Sequence, residues 1–248
     1  MESEEAVFLW NYGRWTAMVD AAHQVRKKHL GDHLVGYTIY RVVNYTSVCK
    51  VTCSFCSFYC DATSKRGYTM TPDEMRAIAR DAQERGIDQI FFQGGVNPAL
   101  DLHYFTKAFQ IFTQEFGMTV RGLSPVEVIE LAKRSDMTLT ELLPILKEAG
   151  LSSVPGAGAE VLSDRIRSVL SPRKPSVADW VNAMRCCHQA GLPGSANIVF
   201  GSIETPEEIV EHLQIIRDIQ DETGGFFSFV PWTFQPQTER FPICPVRG

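Results

Sequence analysis

The strongest constraint on the fold is a repeated alternation. Short runs of β-branched and aromatic residues are each followed by a helical pattern with a legible start. The runs are residues 37–44 (YTIYRVVN), 89–93 (QIFFQ), 119–123 (TVRGL), 151–155 (LSSVP), 196–200 (ANIVF) and 226–230 (FFSFV). Between them, Thr71–Glu74, Ser124–Glu127, Thr138–Glu141 and Thr205–Glu208 fit S/T-x-x-E, and Ser176–Asp179 is a weaker version. In that box the hydroxyl and the carboxylate each satisfy an orphan backbone N–H, so these acids are capping groups first. Pro72, Pro125 and Pro206 take the first helical position, where a missing N–H costs little. Gly86, Gly150, Gly191 and Gly224 follow helix ends, where a left-handed cap suits glycine.

Strands alternating with helices predict parallel strands joined by helical crossovers. Closing them gives a TIM-like (β/α) barrel, complete or partial; leaving them open gives a doubly wound sheet. Spacing alone does not decide. A chain of 248 residues suits a single barrel. Residues 3–30 read as one leading helix ending near Gly31. The domain reading is a helical lead over 1–36 and one α/β domain over 37–248. In a barrel the working face is the C-terminal ends of the strands, so the motifs are read against that face.

A net charge of −5 gives no electrostatic support for a nucleic-acid partner. No apolar run is long enough to span a bilayer, and the acidic start MESEEAVFLW lacks a basic n-region, so a cytoplasmic protein is expected. Seven cysteines is an odd count, and three are clustered. That reads as a reducing compartment with a metal site, not a disulfide framework.

The cluster is Cys49, Cys53 and Cys56, spaced C-x3-C-x2-C, in a loop directly after the first strand. Three thiolates can hold three irons of a [4Fe–4S] cube and leave the fourth iron open to a non-protein ligand. Cys60 extends the run to a fourth cysteine. Four thiolates would close the site, as in an electron carrier or a structural zinc module, but the spacing differs from the ferredoxin run. Cys186 and Cys187 fall in a helical pattern and read as structural thiols; Cys244 receives no role.

Other strand ends carry weaker signals. The second strand ends in QGG, where Gly94 and Gly95 allow a close approach to the backbone, or merely a turn. The fifth reads NIVFGSIE, with Gly201 and Glu204 at its end. After the fourth, PGAGAE brings Glu160 to the rim, where it can hydrogen-bond a ribose or act as a base. Arg165 and Arg167 follow, either as holders of an anionic substrate or as part of a solvated helix face. His188 and His212 fall inside helices and read as packing residues.

The three-cysteine loop, with Phe55 before its third cysteine, resembles the signature of the radical S-adenosylmethionine superfamily. QGG resembles the superfamily's GGE-type segment, with Val96 in place of the acid. NIVFGSIE resembles its G-x-I-x-G-x-x-E pattern, matching at Gly201 and Glu204. The resemblance implies a [4Fe–4S] cluster on Cys49, Cys53 and Cys56, and S-adenosyl-L-methionine near Phe55, Gly94, Gly95, Gly201 and Glu204. It also implies an external electron donor.

Longer segments, FFQGGVNPALD, SVPGAGAEVLSDRIR, IETPEE and LQIIRDIQDETGGFFSFVPWTFQP, resemble the menaquinone-pathway radical enzymes that act on futalosine derivatives. QGG-x-NP and PW-x-FQP favour the member that cyclises its substrate over the aminofutalosine-forming one; deazaflavin-chromophore relatives rank lower. The resemblance implies hydrogen abstraction from C4′ of a substrate ribose, attack of the carbon radical on an attached benzoate ring, and loss of an electron and a proton. The substrate is then a small nucleoside-derived molecule with a benzoate group. Arg165 or Arg167 would hold its carboxylate, Glu160 would accept the proton, and Trp232 and Phe234 would pack on the ring or simply in the barrel. Family members continue past FQP, so this chain reads as a C-terminally shortened form whose last strand has an open edge.

Overall fold

The structure, a computed structural model, describes residues 2–235. Two helices lead, α1 (Ser3–Tyr12) and α2 (Trp15–Leu30), where the sequence suggested one. The break is at Gly13, which leaves the helical region at ψ 138° while its N–H bonds Leu9 O at 2.8 Å. A Cβ there would stand 2.4 Å from that carbonyl. Neither helix has a buried residue.

The alternating part follows in chain order: β1 (Arg41–Asn44), α3 (Pro72–Glu84), β2 (Gln89–Gln93), α4 (Leu102–Gln110) with a π turn at Ile111–Glu115, β3 (Thr119–Gly122), α5 (Pro125–Arg134), α6 (Leu139–Glu148), β4 (Leu151–Ser153), α7 (Asp164–Leu170), α8 (Val177–Gln189), β5 (Gly194–Phe200), α9 (Pro206–Thr223) and β6 (Phe226–Thr233). The expected first strand was longer. Pairing starts only at Arg41, opposite Ile90, and Tyr37 is 86% exposed.

Every strand pair is parallel, in two ladders, β1-β2-β3-β4 and β5-β6. Two backbone bonds join the ladders just past β4: Val154 N–H to Pro193 O at 3.0 Å and Gly156 N–H to Ser195 O at 2.7 Å. Spatial order thus follows chain order with no switch point, which makes this a partial TIM-like (β/α) barrel rather than a doubly wound sheet. Among the described residues β1 and β6 do not pair with each other.

Packing follows the two periodicities. In β2 the alternate residues Ile90 and Phe92 are buried, and Phe92 meets Phe109 and Phe112 of the next helix edge to face. Trp180 and Met184 of α8 pack with Ala196 of β5 in a second cluster. His212 is fully buried, with Nδ1 accepting from Leu162 N–H at 3.0 Å; His188 meets Thr223 Oγ1 at 2.7 Å. Complete capping boxes form at Thr71, Thr138, Ser176 and Thr205. Ser124 caps α5 too, and there the carboxylate of Glu127 takes the Ser124 hydroxyl on one oxygen and the Tyr45 hydroxyl on the other.

Candidate active site

The C-terminal ends of β1 to β4 enclose a cavity of about 450 Å³. One wall is the loop after β1, which brings Cys49, Cys53, Phe55 and Cys56 to the cavity. Backbone bonds fasten this loop to the end of β2: Gly95 N–H to Thr46 O at 2.9 Å and Lys50 N–H to Val96 O at 3.0 Å. Val96 N–H also donates to Cys49 Sγ at 3.3 Å. Gly95 is required by this contact, because a Cβ there would lie 2.2 Å from Val48 O and 2.8 Å from Cys49 Cβ. What approaches the glycine is first of all the chain's own cysteine loop.

Cys60 stays behind the wall. Its N–H bonds Ser47 O at 2.7 Å, its carbonyl accepts from Cys49 N–H at 3.1 Å, and it is absent from the cavity lining. Among the described residues no three His, Cys, Asp or Glu side chains converge on a single metal ion. A cube asks for something different, since each corner iron takes one thiolate and the three sulfurs stay apart. Three soft ligands on one wall, one already accepting an N–H, fit such a cluster. Burial pushes the Cys53 thiol up to about 11, with Lys174 opposing, so iron binding is what would deprotonate it.

Glu127 forms the floor. It is 7% exposed, accepts from Tyr45 OH at 2.5 Å and Ser124 Oγ at 2.6 Å, and takes the Gly94 N–H. Burial pushes its carboxyl up to about 7 against those hydrogen bonds. Tyr45 stacks on Phe92 with ring centroids 4.6 Å apart, and a Cβ at Gly94 would strike its ring at 2.9 Å. Sequence reasoning gave Glu127 only a capping role. The signal available was its apolar setting, since Pro125 through Ala132 are all buried.

Glu160 lines the cavity, its φ of 47° in the left-handed region, and its carboxylate meets Lys174 Nζ at 2.6 Å. Lys174 carried no recognisable sequence signal. The two arginines expected to hold an anion lie outside the lining. Arg165 pairs with Glu208, Nη2 to Oε2 at 2.5 Å, and donates to Ile203 O at 2.9 Å. Arg167 is buried and spends its donors on Pro175, Gly158 and Ala159 carbonyls, fixing the backbone on both sides of α7. Glu204 folds back on its own turn, accepting from Ser202 N–H at 2.9 Å and from Gly201 N–H. Trp232 is 58% exposed, away from the cavity. Phe234 is buried against Phe55 at 5.8 Å between centroids, behind the lining. The remaining tail, including Cys244, lies outside the described residues.

A family model described as the radical SAM superfamily matches residues 43–216. A 5-amino-6-(D-ribitylamino)uracil–L-tyrosine 4-hydroxyphenyl transferase of Methanothermobacter thermautotrophicus is 37% identical over 234 residues, 93% of this chain and 64% of the relative. A cyclic dehypoxanthine futalosine synthase of Streptomyces coelicolor is 36% identical over 238 residues, 94% and 60% of the two chains. The chain thus spans about three-fifths of the length of the curated relatives it matches. In fold it resembles methylornithine synthase (PylB), with a TM-score of 0.76 at 19% identity over 99% of this chain and 68% of the other. The hydrogenase maturase HydG gives a TM-score of 0.74 at 16% identity, over 98% and 54%.

Proposed function

The chain belongs to the radical S-adenosylmethionine superfamily, and from that premise we propose that it is a menaquinone-pathway enzyme that cyclises dehypoxanthine futalosine. The superfamily works with a [4Fe–4S] cluster and S-adenosylmethionine, which together supply a 5′-deoxyadenosyl radical when bound. In this chain Cys49, Cys53 and Cys56 would hold the cluster, Val96 N–H would steady the first thiolate, and Gly94 and Gly95 would keep the adjoining backbone bare. Phe55, backed by Phe234, forms an apolar wall. Glu160, which lines the cavity, would accept the proton lost when the substrate ring regains aromaticity. Gly201, Glu204 and Trp232 stand outside the cavity wall and are left out of this assignment.

The observation that carries the reading is the cavity itself: three cysteines face it, Cys60 does not, and a carboxylate lines it as well. QGG-x-NP and PW-x-FQP favour cyclisation over other futalosine chemistry. A second reading, transfer of a hydroxyphenyl group from L-tyrosine to a ribitylaminouracil, is supported by the equal similarity of the archaeal relative. One experiment separates them. With dithionite and S-adenosylmethionine, dehypoxanthine futalosine deuterated at C4′ should deliver its label to 5′-deoxyadenosine. It is run on this chain and on a form extended to the relatives' length. No label from an extended form that holds its cluster rejects cyclisation. A hydroxyphenyl adduct formed from tyrosine and the ribitylaminouracil would establish the second reading instead.

A further inference from the structure

Among the described residues the strands β1 to β6 carry two charged side chains, Arg41 and Arg121. Arg41 turns outward and meets Asp81 of α3 at 3.8 Å. Arg121 on β3 has no such partner and turns the other way. Its ladder neighbours are Phe91 on β2 and Ser153 on β4. In β2 the buried Ile90 and Phe92 pack toward the helices, so Phe91 and Gln93 point into the barrel, and Gln93 lines the cavity. Arg121 therefore stands in the barrel interior two residues, about 7 Å along the strand, beneath that lining.

The guanidinium is held but not satisfied. Its Cζ lies 4.7 Å from the centre of the Phe227 ring on β6 and 5.8 Å from that of Phe91. Nε is buried without a partner, and neither terminal nitrogen hydrogen-bonds a described residue. Burial works against the charge, and the one group that opposes this is the Tyr40 hydroxyl, not a carboxylate. Ser153 is 5% exposed, and its hydroxyl is likewise without a partner. Stacking alone does not account for this arrangement. Rings take the faces of a guanidinium, whereas its N–H groups lie in the plane and point past the rings. An interior cation with free in-plane donors and phenylalanines beside it matches an aromatic ring that carries a carboxylate. The fork takes the carboxylate, and the phenylalanines take the ring.

We infer that Arg121 is a specificity-determining residue that binds an aryl carboxylate in the barrel interior beneath the cavity, with the Ser153 hydroxyl as a second donor. The anion holder that the sequence suggested in Arg165 and Arg167 is then a strand residue instead. The inference rests on the function proposed above, whose substrate brings a benzoate. S-adenosylmethionine carries its carboxylate off any ring and serves as the internal control.

The test is calorimetric affinity on anaerobically reconstituted protein for two ligand pairs that differ only at the carboxyl group. The pairs are dehypoxanthine futalosine with its carboxamide, and benzoate with benzamide. The wild type should prefer the acid in each. Arg121→Gln should weaken the acids about ten- to a hundredfold and leave the amides unchanged, and Arg121→Lys should restore part of the loss. Ser153→Ala should show a smaller loss with the same selectivity. Iron content and S-adenosylmethionine affinity should stay at wild-type values. An arginine that only packs the barrel would change acid and amide alike; that result, or acids that bind Arg121→Gln as tightly as wild type, overturns the inference. Arg121→Met keeps apolar bulk between Phe91 and Phe227 and decides the matter where the Gln variant does not fold. A wild type that ignores dehypoxanthine futalosine and its amide, yet prefers benzoate through Arg121, rejects the proposed substrate and keeps the aryl-carboxylate site. A wild type that prefers neither acid overturns the site itself.

Discussion

Helices α5 and α9 start on nearly the same four residues, Ser124-Pro125-Val126-Glu127 and Thr205-Pro206-Glu207-Glu208. At both, the hydroxyl caps the N–H three residues on. The glutamates then diverge. Glu127 is sealed beneath the cavity, and burial pushes it up to about 7. Glu208 faces the half-exposed Arg165, which pulls it down to about 2. The cap is a local device, and both sequences encode it equally well. What the carboxylate does next depends on what the rest of the chain brings over it: Tyr45 and the glycine pair at α5, an arginine from α7 at α9. The α5 corner belongs to a cavity, whereas the α9 corner satisfies itself.

Changes at the cavity corner should therefore remove the site, and changes at the α9 corner should not. The largest effect is expected at the cysteines. Anaerobic reconstitution should give about four irons per chain, and Ala at Cys49, Cys53 or Cys56 should bring that near zero. Cys60→Ala should keep nearly all of it, because that thiol stands behind the wall. Iron lost as completely from Cys60→Ala as from the others would mean a closed, four-thiolate site.

The next comparison sets two glycines against each other. Gly95→Val puts a side chain into Val48 O, so it should lose iron together with a large part of its thermal stability. Gly201→Ala meets nothing within 4 Å and strains only a backbone at φ +94°. It should cost about 1–2 kcal/mol and leave iron content alone. Equal iron loss from both variants would erase the distinction between the corners.

The boundary of what the sequence discloses runs between the same corners. The strand–helix order, the caps and the three-cysteine loop are short-range patterns, and the fold uses them nearly as written. The helix break at Gly13 was missed because an isolated glycine inside a helical period carries little weight. A packing reason for Gly95 was out of reach, since only the folded chain shows Val48 pressed against it. Lys174 and Glu127 reach the cavity through contacts with residues 14 and 82 positions away. No window of sequence contains both partners and a reason to pair them. Arg165 and Arg167 looked available for the same reason, because their acceptors lie on other elements or in loop backbone.

The divergence of the two glutamates also has a pH signature of opposite sign. Glu127 binds its proton more tightly folded than unfolded. Its contribution is fully present below the unfolded value of 4.5 and is lost as pH rises through about 7. Glu208 holds its proton less tightly folded. Its contribution is present above 4.5 and is lost as pH falls through about 2. Thermal or denaturant unfolding from pH 4 to 8 should fall more steeply in the wild type than in Glu127→Gln, by at most about 3 kcal/mol across the range. Glu208→Gln should flatten the acid limb instead. A Glu127→Gln profile parallel to wild type across pH 4 to 8 would mean the carboxyl is not buried as described.

The smallest effect is expected at Arg165, and it tests the separation most directly because the sequence offered this residue as a substrate anchor. Its side chain is 53% exposed, and solvent screens its pair with Glu208. Arg165→Ala should therefore cost no more than about 1 kcal/mol of stability, with a modest addition for the hydrogen bond to Ile203 O. Glu208 keeps the Thr205 N–H and the Ser163 hydroxyl when Arg165 is gone, so α9 should stay capped. Iron content and the affinity for every carboxylate ligand should match the wild type. An Arg165→Ala chain that folds normally but loses carboxylate binding tenfold would bring the α9 corner into the site. Arg165 would then have to leave Glu208 when ligand arrives, and the contrast between the corners would be a property of the unliganded chain alone.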